Sequence, residues 1–141
     1  MGQNRTELAE KFMATLPHAV ALGLQFKHFG TGEAEIAMPY SDSLIGDLET
    51  GVIHGGAVSA MMDTCCGAAV MSHPNAGIAT ATIDLRIDYM RSAEPGSEIV
   101  ASAQCYHVTG SVAFVRATAT DGTSQTPIAT ATGTFSVERA T

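Results

Sequence analysis

The chain has 141 residues, of which 45% are hydrophobic and 15% charged. This composition is sufficient to fill the core of one folded domain, and it excludes a disordered acidic tail. The formal net charge of −7 and the scattering of the seven Lys and Arg residues argue against nucleic acid as a partner, because neutralising phosphates requires a basic stripe. We therefore predict a single domain over residues 1–141 with no nucleic-acid partner.

The N-terminal residues, MGQNRTELAEKF, lack the apolar segment and cleavage site of a signal peptide. The most apolar stretch, residues 57–71, is interrupted by Asp63 and is shorter than the roughly 20 residues that a membrane span requires. The three cysteines, Cys65, Cys66 and Cys105, fit neither a disulfide framework nor zinc-ligand spacing, so we expect small buried thiols. These features predict a cytoplasmic protein with no membrane contact and no metal site.

The N-terminal part predicts one helix and two strands. An apolar stripe after Thr6 favours a helix over residues 6–16, which Pro17 should end or kink. Alternating patterns favour strands over residues 24–29 and 33–38, joined by a Gly-Thr-Gly turn. The next segment, residues 39–53, has no steady period, and irregular segments of this length are often functional.

The rest of the chain predicts one long helix followed only by strands. The helix covers residues 55–72, and its broad apolar side consists of Val58, Met61, Met62, Cys65, Ala69 and Val70. Strict alternation marks a strand over residues 82–89, and further strands should cover residues 99–108, 112–120 and 128–137. This order predicts an α+β fold in which an antiparallel sheet wraps around one central helix.

Asp63 lies near the middle of this apolar helix, where an unpaired carboxylate is costly. Its neighbours one turn away are small, which leaves room for a ligand or another backbone. Two interpretations remain open: a structural carboxylate paired with a local donor, or a functional one whose pKa is raised by burial so that it can act as a base or nucleophile.

His54, Gly55 and Gly56 stand at the start of the same helix. The first N–H groups of a helix lack intrahelical partners and carry positive potential, so this end could hold an anion or stabilise a forming oxyanion. An ordinary glycine turn and a structural histidine are the alternatives. His54 and Asp63 are nine positions apart, roughly 13 Å on a straight helix, so they can share one substrate only across two chains. A functional site here therefore requires a two-fold dimer.

The motif G-x-x-H-G-G, followed by Asp63 seven residues after Gly56 and then by TIDLRIDYMRSAEPG, resembles PaaI-type hotdog thioesterases of the 4-hydroxybenzoyl-CoA thioesterase superfamily. The similarity runs over residues 22–137. It implies a hotdog fold that dimerises through a continuous sheet, often as part of a homotetramer. The implied reaction is hydrolysis of a medium-chain or aromatic acyl-CoA, with no cofactor besides the substrate.

The resemblance also assigns roles to residues. Asp63 becomes the catalytic carboxylate, the Gly55 N–H polarises the carbonyl, and His54 positions the thioester or its loop, with Gly56 beside them at the substrate. Thr82 falls where relatives often carry a Ser or Thr that orients water, although a β-branched strand residue is an equal alternative. Relatives commonly have an Asn where this chain has Leu48, so Asp47, Thr50 or the Gly55 N–H alone must replace it.

The substrate contacts expected from the sequence are cations for CoA and apolar residues for the acyl group. For the CoA phosphates, the resemblance favours Arg91 and then Arg116. For the acyl group we expect an apolar lining that includes Met62, with Met61, Leu44 and Ile45 nearby. A non-catalytic acyl-CoA sensor remains an alternative. A hotdog hydratase or dehydratase is less favoured, because no Pro lies between His54 and Pro74.

Overall fold

The computed structural model describes residues 2–141, with side chains from Arg5 onward. Its helices are α1 (Gly2–Met13), α2 (Pro17–Leu22) and α3 (Gly55–Ser72), and a short 3-10 turn covers Asp42–Leu44. Its strands are β1 (Gln25–Gly30), β2 (Glu33–Met38), β3 (Ile45–Asp47), β4 (Val52–Ile53), β5 (Thr82–Tyr89), β6 (Ile99–Val108), β7 (Val112–Thr120) and β8 (Ala129–Ser136).

Six strands form one antiparallel sheet in the order β1-β2-β6-β7-β8-β5, and β3 pairs with β4 in a separate small hairpin. The sheet curves around α3, which packs mainly against β2, β6 and β7. The predicted α+β arrangement, a large antiparallel sheet around one central helix, is confirmed. Within the described residues, β1 and β5 are the two edges of this sheet.

The side of α3 that faces the sheet is fully buried, and all six residues predicted for it lie in the core. The three cysteines are buried and unpaired, as predicted. Burial raises the pKa of the Cys66 thiol to about 12 and raises that of Cys65 further. These thiols are therefore packing residues that stay protonated and unreactive at neutral pH.

The N-terminal helix differs from its prediction. It already includes Gly2 and ends at Met13, and Pro17 begins α2 instead of ending a helix that extends to Leu16. The reason is that the fixed φ of proline suits the first turn of a helix, where its missing N–H costs no hydrogen bond. α2 then ends at Gly23, which adopts the left-handed conformation with φ 72°.

Among the residues that the structure describes, no helix combines the length and the apolar character needed to cross a membrane.

Candidate active site

Asp63 lies on the open side of α3, the side that the sheet leaves uncovered. The carboxylate is half-buried, and its Oδ1 accepts a hydrogen bond of 2.6 Å from the hydroxyl of Thr82. The structure thus brings together two candidate residues from different elements, Asp63 of α3 and Thr82 of β5. Nothing else in the described residues bonds to the second carboxylate oxygen, so it faces the open side with its lone pairs available.

A β-bulge aims Thr82 at Asp63. Alternation along the strand would place Thr82 with Asp84 and Arg86, on the face opposite Tyr89. The pairing register of β5 with β8 shifts between Thr82 and Asp84, and Thr82 therefore turns towards α3. Bulges commonly re-aim a side chain beside a functional site, and this one could not be read from the strand pattern.

His54 caps the N-terminus of α3. Its Nδ1 accepts a hydrogen bond of 2.7 Å from the Gly56 N–H, so the ring proton must be on Nε2 when the imidazole is neutral. The predicted roles of the two glycines therefore separate. The Gly56 N–H is engaged in the cap, whereas the Gly55 N–H has no acceptor in the described part of the chain.

The hairpin of β3 and β4 holds His54 in place. The His54 N–H donates to the Leu44 carbonyl at 2.8 Å. At Gly46, a Cβ atom would lie only 2.8 Å from the Cα of His54, so only glycine lets the two backbones approach this closely. The sequence analysis missed Gly46; the one signal was a glycine inside the irregular segment.

Tyr89 supports the same end of α3 from β5. Its hydroxyl donates to the Gly55 carbonyl at 2.8 Å, and its ring lies against Gly55. The sequence analysis placed Tyr89 only as an apolar strand residue. β5 therefore runs opposite to α3, with Thr82 beside Asp63 at one end and Tyr89 beside Gly55 at the other.

Leu48 lies at the tip of the hairpin, where its side chain is 94% exposed. The polar groups expected to replace the missing Asn are engaged with each other: Thr50 donates to Asp47 at 2.9 Å, and the other Asp47 oxygen accepts from the Glu49 N–H. Tyr40 donates to the Gly51 carbonyl at 2.6 Å and closes the loop. The loop is thus stabilised by its own hydrogen bonds, and among the described residues at the start of α3 the Gly55 N–H is a backbone donor without an acceptor.

A family model described as the thioesterase superfamily matches residues 50–128, more than half of the chain and the part that carries Gly55, Asp63 and Thr82. The chain belongs to the thioesterase superfamily. It is therefore a thioester hydrolase by family.

Solved structures and a curated relative are similar to this chain over most of its length. A crystal structure of a Pseudomonas aeruginosa protein is 38% identical, with a TM-score of 0.83 over 94% of this chain and 98% of that one. The PaaI phenylacetic acid degradation protein of Thermus thermophilus, solved as a mutant, is 26% identical, with a TM-score of 0.76 over 87% and 100% of the two chains. The medium/long-chain acyl-CoA thioesterase YigI of Salmonella typhimurium is 26% identical over 92% of this chain and 91% of its own. The resemblance to PaaI-type hotdog thioesterases is confirmed.

Arg91, the first candidate of this thioesterase for a CoA phosphate, is already engaged. Its guanidinium donates to both carboxylate oxygens of Asp121, at 2.7 and 2.9 Å, and to the carbonyls of Ser92 and Thr126. The hydrogen bond from Arg91 holds the pKa of the Asp121 carboxyl well below its usual range. This geometry gives Arg91 a structural role in joining the loops that follow β5 and β7, and its contact with a CoA phosphate stays a prediction.

Arg116 has a different environment. Its guanidinium stacks over the ring of Tyr106, 4.3 Å from the centroid, and it has no ion pair with any described residue. It lines a cavity of about 620 Å³ on the exposed face of the sheet, beside Gln104 and Thr118. The prediction that Arg116 contacts a phosphate stays a prediction.

Met61 and Met62 are fully buried and belong to the core that α3 forms with the sheet. The prediction that Met62 lines the acyl site stays a prediction. Methionines at helical spacing fill irregular core volume, and these two follow that rule.

Proposed function

We propose that this protein hydrolyses acyl-CoA thioesters at sites shared by two protomers, with Asp63 of one facing Gly55 of the other. The observation that carries the proposal is the 2.6 Å hydrogen bond from Thr82 to Asp63 on the open side of α3. It holds one carboxylate oxygen in a fixed orientation and leaves the other free to take a proton.

The proposed reaction needs water as its only co-substrate, with no metal ion and no redox cofactor. Asp63 removes a proton from a water molecule whose oxygen attacks the thioester carbonyl carbon. Negative charge then develops on the carbonyl oxygen, where the Gly55 N–H and the positive end of the α3 dipole stabilise it. The C–S bond breaks, and the departing CoA thiolate takes the proton from Asp63. His54 contributes by fixing the first turn of α3.

The exposed edge of the sheet supports a two-fold dimer. β5 pairs only with β8 among the described strands, and it leaves Ile83 59% exposed and Tyr89 51% exposed. Unpaired strand edges with exposed apolar side chains favour pairing with another chain. Because β5 runs opposite to α3, antiparallel pairing with the partner's β5 brings the Asp63 end of one protomer beside the partner's Gly55. Pairs of such dimers would then form the homotetramer.

The substrate class follows from the superfamily and from the name of a relative. The 26% identical YigI protein is a medium/long-chain acyl-CoA thioesterase, and its alignment covers nearly the whole of both chains. Leu48 in place of the usual Asn leaves the Gly55 N–H as the main carbonyl donor. We therefore propose turnover that depends strongly on that single N–H group.

Replacing Asp63 with Asn tests the proposal directly. Asp63→Asn keeps an acceptor for Thr82 but removes the base, so we expect kcat to fall by about 10²–10⁴-fold while the oligomer stays folded. Release of free CoA from an acyl-CoA panel, measured with a thiol-reactive dye, provides the readout. The protein's own thiols are buried, and an enzyme-only blank corrects for them.

The matched control is Glu98→Gln, an acid-to-amide change at an exposed residue that pairs with Lys27, which should leave kcat unchanged. Near-normal turnover by Asp63→Asn on every cleaved substrate would show that the mechanism is wrong. Tight binding of acyl-CoA by the wild type without release of CoA would instead favour the sensor hypothesis.

A further inference from the structure

An apolar groove of about 620 Å³ lies between α1 and the open side of α3. Small residues of α3, Thr64, Gly67 and Ala68, form its floor, and α1 covers it with Leu8 and Phe12. The groove lies on the side of α3 that the sheet leaves uncovered, whereas Met61 and Met62 are fully buried in the core.

Residues of the groove lining lie close along the chain to both members of the candidate catalytic pair. Thr64 directly follows Asp63, and Gly67 lies one helical turn beyond Asp63 on the same side of α3. Thr80, at the opposite wall, is two residues before Thr82. A thioester held at Asp63 can therefore extend its acyl part directly into the groove.

The lining matches an alkyl chain and not the nucleotide part of CoA. Three of its members are large apolar side chains that stay mostly exposed: Leu8 at 62%, Phe12 at 66% and Ile78 at 64%. Arg5 is the only charged residue among the described lining. An acyl chain would remove this apolar surface from water, which favours binding in proportion to the area covered.

The groove lining on α3 runs from Thr64 to Met71, and Met71 lies eight residues beyond Asp63, or about 12 Å along the helix axis. An extended chain advances about 1.2 Å per bond, a third of the extended length of one residue. The groove therefore accommodates about ten bonds of a straight chain. An aromatic acyl group would fill only its first turn.

We propose that this groove binds the acyl chain, and that the small side chains of Gly67 and Ala68 set the chain length that the enzyme accepts. This inference rests on the proposed function, and it specifies the substrate as a straight-chain acyl-CoA of about ten carbons. In this arrangement α1 covers the bound acyl chain.

A series of straight-chain acyl-CoAs from butyryl to myristoyl tests the inference. We expect kcat/KM to rise about fourfold for each added methylene, the ratio that corresponds to ~0.8 kcal/mol per buried CH₂, and to level off near ten carbons. Ala68→Leu should move this plateau to shorter chains and leave butyryl-CoA hydrolysis within about twofold of the wild type. Ala21→Leu, on the exposed side of α2, is the matched control and should keep the wild-type profile.

A second variant shortens a side chain of α1 over the groove and leaves α3 unchanged. It tests the proposal even if Ala68→Leu does not fold. Phe12→Ala should lower kcat/KM for decanoyl-CoA by about tenfold and that for butyryl-CoA much less, because a long acyl chain buries more apolar surface in the groove than a short one. Val20→Ala, a truncation of another exposed apolar residue, should change neither value.

The failures of the two proposals are distinguishable. If the enzyme cleaves acyl-CoAs through Asp63 but shows the same chain-length profile with and without Ala68→Leu and Phe12→Ala, the groove proposal is overturned and the proposed function stands. If these variants change the oligomeric state in light scattering and not the profile, a second copy of the chain occupies the groove. If no acyl-CoA is cleaved at all, the proposed function fails first.

Discussion

The hydroxyl of Thr82 donates the side-chain hydrogen bond to Asp63, and it can be removed with almost no change in side-chain shape. We expect Thr82→Val to lower kcat by about tenfold with little change in KM, because a hydrogen bond to a charged group contributes about 1.5–3 kcal/mol. Thr82→Ser, which keeps the hydroxyl, should restore most of the rate. Steady-state kinetics on one well-cleaved acyl-CoA provide both parameters.

A purely structural Thr82 predicts a different outcome. Serine would then be as poor as valine or worse, because it lacks the branch that packs in the strand, and the melting temperatures of the two variants would follow their activities. Equal rates for the wild type and Thr82→Val would remove Thr82 from the site.

At this scale the sequence identified the residues whose spacing is local. His54, Gly55 and Asp63 lie on one helix, so helical geometry alone predicted their separation and the need for a second chain. Tyr89 and Gly46 could not be predicted, because their roles depend on β5 crossing α3 and on the hairpin lying against His54. Thr82 was identified only through the resemblance, since its bulge reverses the orientation that the alternating pattern implies.

Elements were predictable where the periodicity was strong. The helix over residues 55–72 and the strands after it agree with the structure to within about a residue, because their apolar patterns face one continuous core. The pattern failed at Pro17, where proline can either end a helix or begin one, and local sequence does not decide between the two. In residues 39–53, β3 and β4 are too short for a period to be visible.

The loops that follow β5 and β7 are joined by Arg91 and Asp121, and this connection should depend on pH. Since the folded-state pKa of Asp121 is depressed, its contribution to stability is present above the unfolded value of about 3.9 and is lost as pH falls below it. We expect Asp121→Asn to lower Tm by several degrees at pH 7, with the difference from the wild type narrowing below about pH 4. Thermal denaturation followed by circular dichroism across pH 3–8 measures this difference in Tm between the variant and the wild type.

Glu98→Gln is the matched control for Asp121→Asn. Both side chains of the ion pair between Lys27 and Glu98 are about half-exposed, and such pairs contribute little to folding stability. Its Tm should stay within about a degree of the wild type. A Tm difference for Asp121→Asn that is the same at pH 3 and pH 7 would contradict the charge-based explanation.

At the scale of the whole molecule, the two proposed catalytic groups of one protomer are too far apart to act on one carbonyl. Asp63 and the Gly55 N–H are separated by about 12 Å along α3, so each active site should combine groups from two chains. Two different inactivating changes can therefore complement each other. Asp63→Asn removes the base. Gly55→Pro removes the N–H donor, and proline suits this first helical position because His54 already has an extended ψ of 134°.

Each variant alone should be nearly inactive, whereas co-expression of the two should restore about one quarter of wild-type activity. Random pairing makes half of the dimers mixed, and each mixed dimer holds one intact site and one doubly damaged site. Differently tagged chains, purified through both tags in sequence, isolate the mixed dimers, which should reach about half of wild-type kcat per dimer.

Gly55→Ala is the control for the lost N–H group. It keeps the N–H, its Cβ would lie 3.6 Å from the ring of Tyr89, and it should retain activity, which would show that the lost donor causes the effect. Mixed dimers without activity, or a protein that runs at 14.6 kDa in light scattering, would mean that each chain works alone and that the shared site does not exist.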